Sequence, residues 1–222
     1  MFKFFQNFKN NPLKSIENVR LKSLTELNIS NNELKEKMNE LLSECTSLEE
    51  LNLQNTKMIE IPKEYKNLTN LKKLKLDYGK ISTIETLCLL VNLNSLSVNN
   101  NNLSTINQEI INLQNLTSLS LSFNTLVQIP EHLEKLINLK ILNLSHNKIK
   151  QVSSIVSFTN LNSLDLSFNR IKVIPLTIIT LTNLSTLMLS GNTKKGFPMV
   201  DSLNKNTVNI FFRQMIGESN FI

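Results

Sequence analysis

Side chains able to do acid–base, nucleophilic or metal chemistry are scarce in this 222-residue chain: two histidines, His132 and His146, and two cysteines, Cys45 and Cys88. No nucleophile elbow, phosphate-binding glycine loop or metal-spaced His/Cys/Asp set accompanies them. The histidines fall on different faces of neighbouring sequence units, so no shared proton relay is expected. This inventory predicts a non-catalytic protein with no catalytic residue, no metal and no cofactor. Cys45 stands three residues before Leu48, a position held by Leu68, Leu90, Leu113 and Leu136 in other units, and Cys88 falls in the matching segment of a later unit. Both read as buried, reduced thiols and not as a disulfide or a nucleophile.

Recognition chemistry is better represented. Tyr78, Phe123, His146 and Phe168 occur at one recurring position, where other units carry Asn31, Asn55, Asn100 and Gly191. Rigid rings at the edge of a polar face make good protein-binding anchors, since they offer area with little side-chain entropy to lose. The plainer alternative is that each ring packs on its neighbour's loop. A central outward column reads Asn28, Asn52, Lys75, Ser97, Ser120, Asn143, Asp165 and Met188, and its neighbour reads Glu26, Glu50, Lys73, Ser95, Ser118, Ile141, Ser163 and Thr186. One end is thus acidic, Lys73 and Lys75 make the third unit basic, and the middle is small and polar. Lys148, Lys150, Arg170, Lys172, Lys194 and Lys195 are predicted to stack into one basic flank, with solvated loop lysines as the plainer reading. The net charge of +6 suggests acidic partners. The flank matches no nucleic-acid-binding motif, so nucleic acid is not expected.

The elements that must position these residues come from a repeated unit. Leu116, Leu119, Leu121, Asn124 and Leu126 spell L-x-x-L-x-L-x-x-N-x-L, and the motif restarts at Leu24, Leu48, Leu71, Leu93, Leu116, Leu139, Leu161 and Leu184. Leu119 and Leu121 alternate with serines, as in a short strand with one buried face. Ile129, Leu133 and Leu136 then lengthen the period, and Pro130 is expected at the first helical position. One unit cannot stand alone, because ordering its backbone costs roughly 1–2 kcal/mol per residue and its few buried side chains return about 1.5–3 kcal/mol each. Stacking must supply the rest. The Asn register is expected to satisfy backbone groups at the bend. Thr56 and Gly79 break that register, and backbone freedom at Gly79 is the expected accommodation.

At the ends, Phe2, Phe4, Phe5 and Phe8 have the spacing of a helix stripe and predict an N-terminal cap over residues 1–23. Residues 24–205 carry the repeats. Val208, Phe211, Phe212 and Met215 predict a C-terminal capping helix and tail over 206–222. No apolar stretch is long enough for a transmembrane segment, and polar residues interrupt the N-terminal phenylalanines too often for a signal peptide. A cytoplasmic monomer is expected.

The units with L-x-x-L-x-L-x-x-N-x-L and a following Ile-Pro, as at Ile61-Pro62, Ile129-Pro130 and Ile174-Pro175, resemble the intracellular leucine-rich repeats of the Ras-suppressor, erbin and scribble type. The shorter units starting at Leu71 and Leu139 are similar to those of the regulatory subunit of protein phosphatase 1. The resemblance implies an α/β solenoid, a curved arc with a concave parallel sheet and convex short helices. It further implies a non-catalytic protein–protein interaction module or adaptor in intracellular signalling, with a partner such as a small GTPase or phosphatase. The alternative is a regulatory region of a larger phosphatase, kinase or GTPase-containing protein.

Overall fold

Each unit forms its strand where alternation is strict. The residue pair flanking the middle leucine faces outward and the leucine inward, so three residues suffice for a strand before the Asn turn redirects the chain. The computed structural model describes residues 5–10, 23–34, 36–193 and 199–200. Eight such strands, one per unit, lie side by side: β2 (Glu26–Asn28), β3 (Glu50–Asn52), β4 (Lys73–Lys75), β5 (Ser95–Ser97), β6 (Ser118–Ser120), β7 (Ile141–Asn143), β8 (Ser163–Asp165) and β10 (Thr186–Met188). All pair in parallel, and the middle leucines from Leu27 to Leu187 stand opposite one another without a slip. These leucines form one continuous buried core with the leucine, isoleucine or valine two residues later. The fold is the expected α/β solenoid.

The N-terminal expectation needs correction. Residues Phe5–Asn7 form a strand, β1, parallel to β2, and not part of a helix. Backbone pairing explains the difference: the first repeat strand would otherwise present an open row of polar groups. The Phe8 N–H continues the ladder to the Asn28 carbonyl at 2.8 Å, and Phe8 packs against the core. Phe2, Phe4 and the expected C-terminal helix lie outside the described residues.

The opposite side carries α1 (Glu36–Ser43) in the first unit and five-residue 3-10 turns in the next six, at Lys63–Asn67, Glu85–Leu89, Gln108–Asn112, Glu131–Lys135, Ser153–Ser157 and Leu176–Thr180. Pro62, Pro130 and Pro175 sit one residue ahead of their turns and not at the first helical position. Each proline carbonyl accepts the first i to i+3 bond, as Pro130 does from the Leu133 N–H at 3.1 Å. In the two shorter units Ile84 and Val152 take that place with ψ of 18° and 28°, against 120–160° at Pro62, Asn107, Pro130 and Pro175. That difference accompanies the one-residue deletion. Cys88 lies in one of these turns and Cys45 just after α1; both are buried and neither is in a disulfide. Burial, with Glu109 and Glu85 contributing, pushes the Cys88 thiol up to about 12, which keeps it protonated and unreactive.

Two asparagine ladders tie the turns together. In the buried one, Asn147 Nδ2 donates to the Leu121 carbonyl of the preceding unit at 2.9 Å, while its Oδ1 accepts from the Leu126 N–H at 3.0 Å. Asn101, Asn124, Asn169 and Asn192 repeat this bridge. The second ladder is exposed: Asn70, Asn92, Asn115, Asn138, Asn160 and Asn183 each donate to a carbonyl of the preceding unit at 2.8–3.0 Å. Gly79 fits the buried ladder for a reason other than backbone freedom, since its φ is not positive. A Cβ there would lie 2.7 Å from Asn101 Oδ1 and 2.8 Å from the Met58 carbonyl oxygen. A glycine is required because two acceptors occupy the space.

Candidate protein-recognition surface

The ring column stands just before the Asn register, where the chain leaves the sheet. Every described residue of this column has a left-handed backbone: φ is 59° at Asn31, 53° at Asn55, 62° at Tyr78, 52° at Asn100, 53° at Phe123, 52° at His146, 52° at Phe168 and 72° at Gly191. Asparagine and glycine adopt that region readily, whereas for other L-residues it costs roughly 1–2 kcal/mol. The rings therefore sit where smaller residues would be less strained.

Their arrangement supplies part of the compensation. Phe123 stacks on His146 with centroids 3.9 Å apart and planes 9° from parallel, and His146 stacks on Phe168 at 4.2 Å and 11°. Phe168 in turn lies over Gly191, where a Cβ would come within 2.5 Å of its Cδ1. Two stacked pairs are worth about 0.5–1.5 kcal/mol each, which offsets only part of the strain of about 1–2 kcal/mol at each of the three rings. The rings still stand half in water, Phe123 at 47% and Phe168 at 51%. Tyr78 is exposed but is separated from the stack by the Asn100 unit. At the other end the column becomes an amide ladder, Asn55 to Asn31 at 3.1 Å and Asn31 to Asn10 at 2.7 Å.

The outward columns of the sheet are more constrained than their polarity suggests. Asp165 Oδ1 accepts from the Ser167 N–H at 2.9 Å and hydroxyl at 2.6 Å, closing the turn two residues on, and Asn28, Asn52 and Asn143 do the same locally. Where the column holds serine, the preceding unit substitutes. Asp77 Oδ1 accepts from Ser97 Oγ and the Asn99 N–H, and Asn99 Oδ1 accepts from Ser120 Oγ and the Ser122 N–H. The serine hydroxyls are thus already engaged. Asp77 and Asn99 were not among the residues singled out from the sequence, although the signal was there: they replace serine or glutamine only where the next unit has lost its amide or acid. Lys73 pairs with Glu50 at 2.8 Å across β3 and β4, while Lys75 is exposed between Asn52 and Ser97 in register. Ile141 and Met188 leave apolar surface open on β7 and β10.

On the flank beyond the Asn register, Lys148, Lys150, Arg170 and Lys172 are all exposed. None belongs to the ion pairs among the described residues. Lys194 and Lys195 lie outside the described residues. The two histidines are kept apart, His132 within a 3-10 turn and His146 within the ring stack. Among the described residues no three His, Cys, Asp or Glu side chains converge on a metal-sized site.

Family models of the leucine-rich repeat match residues 91–149 and 114–171, and a further one matches 23–45. This is a leucine-rich repeat protein. Such repeats are generally non-catalytic modules for protein–protein interaction. No curated protein matches the sequence. Among solved structures, a leucine-rich repeat protein of Leptospira interrogans is 35% identical, with a TM-score of 0.77 over 86% of this chain and 50% of that one. The present chain thus spans half the length of that protein. Internalin C2 of Listeria monocytogenes is 25% identical with a TM-score of 0.74, covering 84% of this chain and 80% of that one. TLR13, solved in complex with ssRNA13, is 29% identical with a TM-score of 0.71, covering 80% of this chain and 26% of that one. No helix among the described residues is long and apolar enough to cross a membrane.

Proposed function

We propose that this leucine-rich repeat protein recognises a protein partner on the rim of its concave face, with Phe123 and Phe168 as anchors and the exposed Ile141 of β7 as further apolar contact on the sheet. The observation that carries the reading is the Phe123–His146–Phe168 stack. It holds half-exposed rings in a strained backbone whose strain the stacking offsets only in part, so stability alone does not account for them. Backbone strain of this kind concentrates at binding sites. Pre-stacked rings also lose little freedom when a partner covers them. Tyr78, Lys75 and Asp165 extend the surface toward the middle and far strands, and Lys73 joins it through its pair with Glu50.

The stack also weighs against single-stranded nucleic acid, the ligand in the TLR13 complex. Bases bind by lying on ring faces, and here both faces of His146 and one face of each phenylalanine are covered by one another. Ring edges remain for side chains of a protein. The Ile-Pro units support a kinship with intracellular Ras-suppressor-type arrays, hence an adaptor in cytoplasmic signalling, acting as a monomer on a small GTPase or phosphatase. The test is affinity capture from native cytosol by the unaltered protein and by Phe123→Ala/Phe168→Ala. Proteins held by the first and absent from the second support the reading; an unchanged set overturns it.

A further inference from the structure

The basic flank contains a feature that the concave face does not explain. Between the loops that follow Asn147 and Asn169 lies a cavity of about 760 Å³. Its charged walls are Lys150, Arg170 and Lys172, and its apolar part is Val152, Val173 and Pro175. No carboxylate is among its described lining residues, and none of the three cations has an ion-pair partner there. Unneutralised cations converging on one cavity create a local positive field beyond what the net charge of +6 would spread over the surface.

We propose that this cavity is a second binding site, independent of the ring stack, and that its ligand is an extended acidic peptide segment of a partner protein. Charge sets the sign of the ligand, and three further observations favour a peptide. Val173–Ile174 forms a short strand, β9, paired in parallel with β11 (Met199–Val200) on one edge only. Its other edge has no strand partner among the described residues, and the cavity lies between it and Lys150–Ser153. A strand edge offers main-chain groups to an extended peptide, which adds affinity that a small anion could not use. Val173 is half exposed and the neighbouring Pro175 partly so, giving apolar contact for one side chain between acidic ones. The volume is that of a cleft for a few residues and exceeds what a single phosphate needs.

Other polyanions fit less well. A nucleic acid would find phosphate partners, but the nearest rings offer little to stack on: His146 is covered on both faces, and Phe168 lies between His146 and Gly191. A membrane surface needs protruding apolar side chains to insert, whereas Val152 is buried and only Val173 is open.

The experiment is fluorescence anisotropy with the full chain and a fluorescein-labelled decapeptide alternating glutamate and valine. A lysine–valine peptide of equal length, an oligothymidylate and phosphatidylserine vesicles serve as competing probes. The acidic peptide should bind saturably and more tightly than any of these, weakening as salt rises. Arg170→Glu with Lys172→Glu should weaken it by at least about tenfold, as charge reversal at a contact does. The milder Arg170→Ala with Lys172→Ala should weaken it less, and circular dichroism should show both variants folded. Phe123→Ala/Phe168→Ala should bind the peptide unchanged, which separates this site from the ring surface. Failure of the acidic peptide to bind, indifference to both cation variants, or tighter binding of the oligonucleotide or vesicles would overturn the proposal.

Discussion

Replacing Gly191 by alanine tests whether the ring column is a coupled structure or a row of independent residues. Two costs can be read from the geometry. The φ of 72° at Gly191 becomes left-handed strain on an L-residue, about 1–2 kcal/mol. In addition, the new methyl would sit 2.5 Å from Phe168 Cδ1 and 2.9 Å from Cε1, so the ring must move. Displacing it forfeits a stacked pair with His146, about 0.5–1.5 kcal/mol, or forces a poor rotamer at a similar cost of about 0.5–1.5 kcal/mol. Gly191→Ala alone should therefore destabilise by roughly 2–3 kcal/mol. In a Phe168→Ala background only the backbone term, about 1–2 kcal/mol, should remain. Urea titrations of the two single variants, the double variant and the parent form a cycle whose coupling should reach about 1 kcal/mol. Additivity within about 0.5 kcal/mol would mean that Phe168 does not rest on Gly191 in solution, and the pre-stacked anchor would lose its support.

Further outcomes test the frame that carries the column. Asn147→Ala strips the partner from the buried Leu126 N–H and one of two donors from the Leu121 carbonyl, which keeps Asn124 Nδ2, and should cost about 2 kcal/mol, since a buried donor is left unpaired; Asn115→Ala, on the exposed ladder, should cost about 1 kcal/mol or less, both read by urea melts. Gly79→Asn restores the repeat pattern, yet should destabilise, because Asn101 Oδ1 and the Met58 carbonyl already fill the Cβ space; a gain in melting temperature would refute that packing. Leu121→Ala should cost about 2–5 kcal/mol as a large-to-small core change. For Cys88, whose thiol is raised to about 12, folding favours the protonated form, so its contribution is intact below the ordinary thiol range near about 8.5 and fades as pH climbs through about 12. Stability against pH should fall over that alkaline window, Cys88→Val should flatten the slope, and at pH near about 8 a thiol reagent should react only after unfolding.

The solenoid was legible because its determinants are local and recur over eight units: a leucine on each strand, an amide at all bends but those of Thr56 and Gly79, an apolar back. A ninth strand at Phe5–Asn7 was not, because the phenylalanines around it have helical spacing, while its pairing is dictated by an edge of β2 that exists only after folding. The position of the rings was visible in the register of Phe123, His146 and Phe168, but their left-handed backbone and mutual stacking were not. The first would have been suggested by the asparagines and glycine that share the column, which are the residues that tolerate positive φ. The second depends on inter-repeat spacing and side-chain direction, which no linear pattern encodes. At Gly79 the missing amide was plain, yet its cause is a close approach by the next unit's Asn101, a contact across twenty-two positions of sequence. The role of Asp165 and the engagement of Ser97 and Ser120 follow from hydrogen bonds two residues away or one unit back. On the flank, the cations were legible but the cavity between Lys150 and Lys172 was not.

The central claim is that the concave ring stack is where a protein partner binds, and calorimetric titration of a captured partner measures it most directly. Phe123→Ala with Phe168→Ala should weaken binding by at least about thirtyfold, or about 2 kcal/mol, with unfolding midpoints showing an intact fold. Lys148→Glu with Lys172→Glu should mainly slow association and alter its salt dependence. Full affinity in the phenylalanine pair together with abolished binding in the lysine pair would contradict the account and move the partner's site to the basic flank.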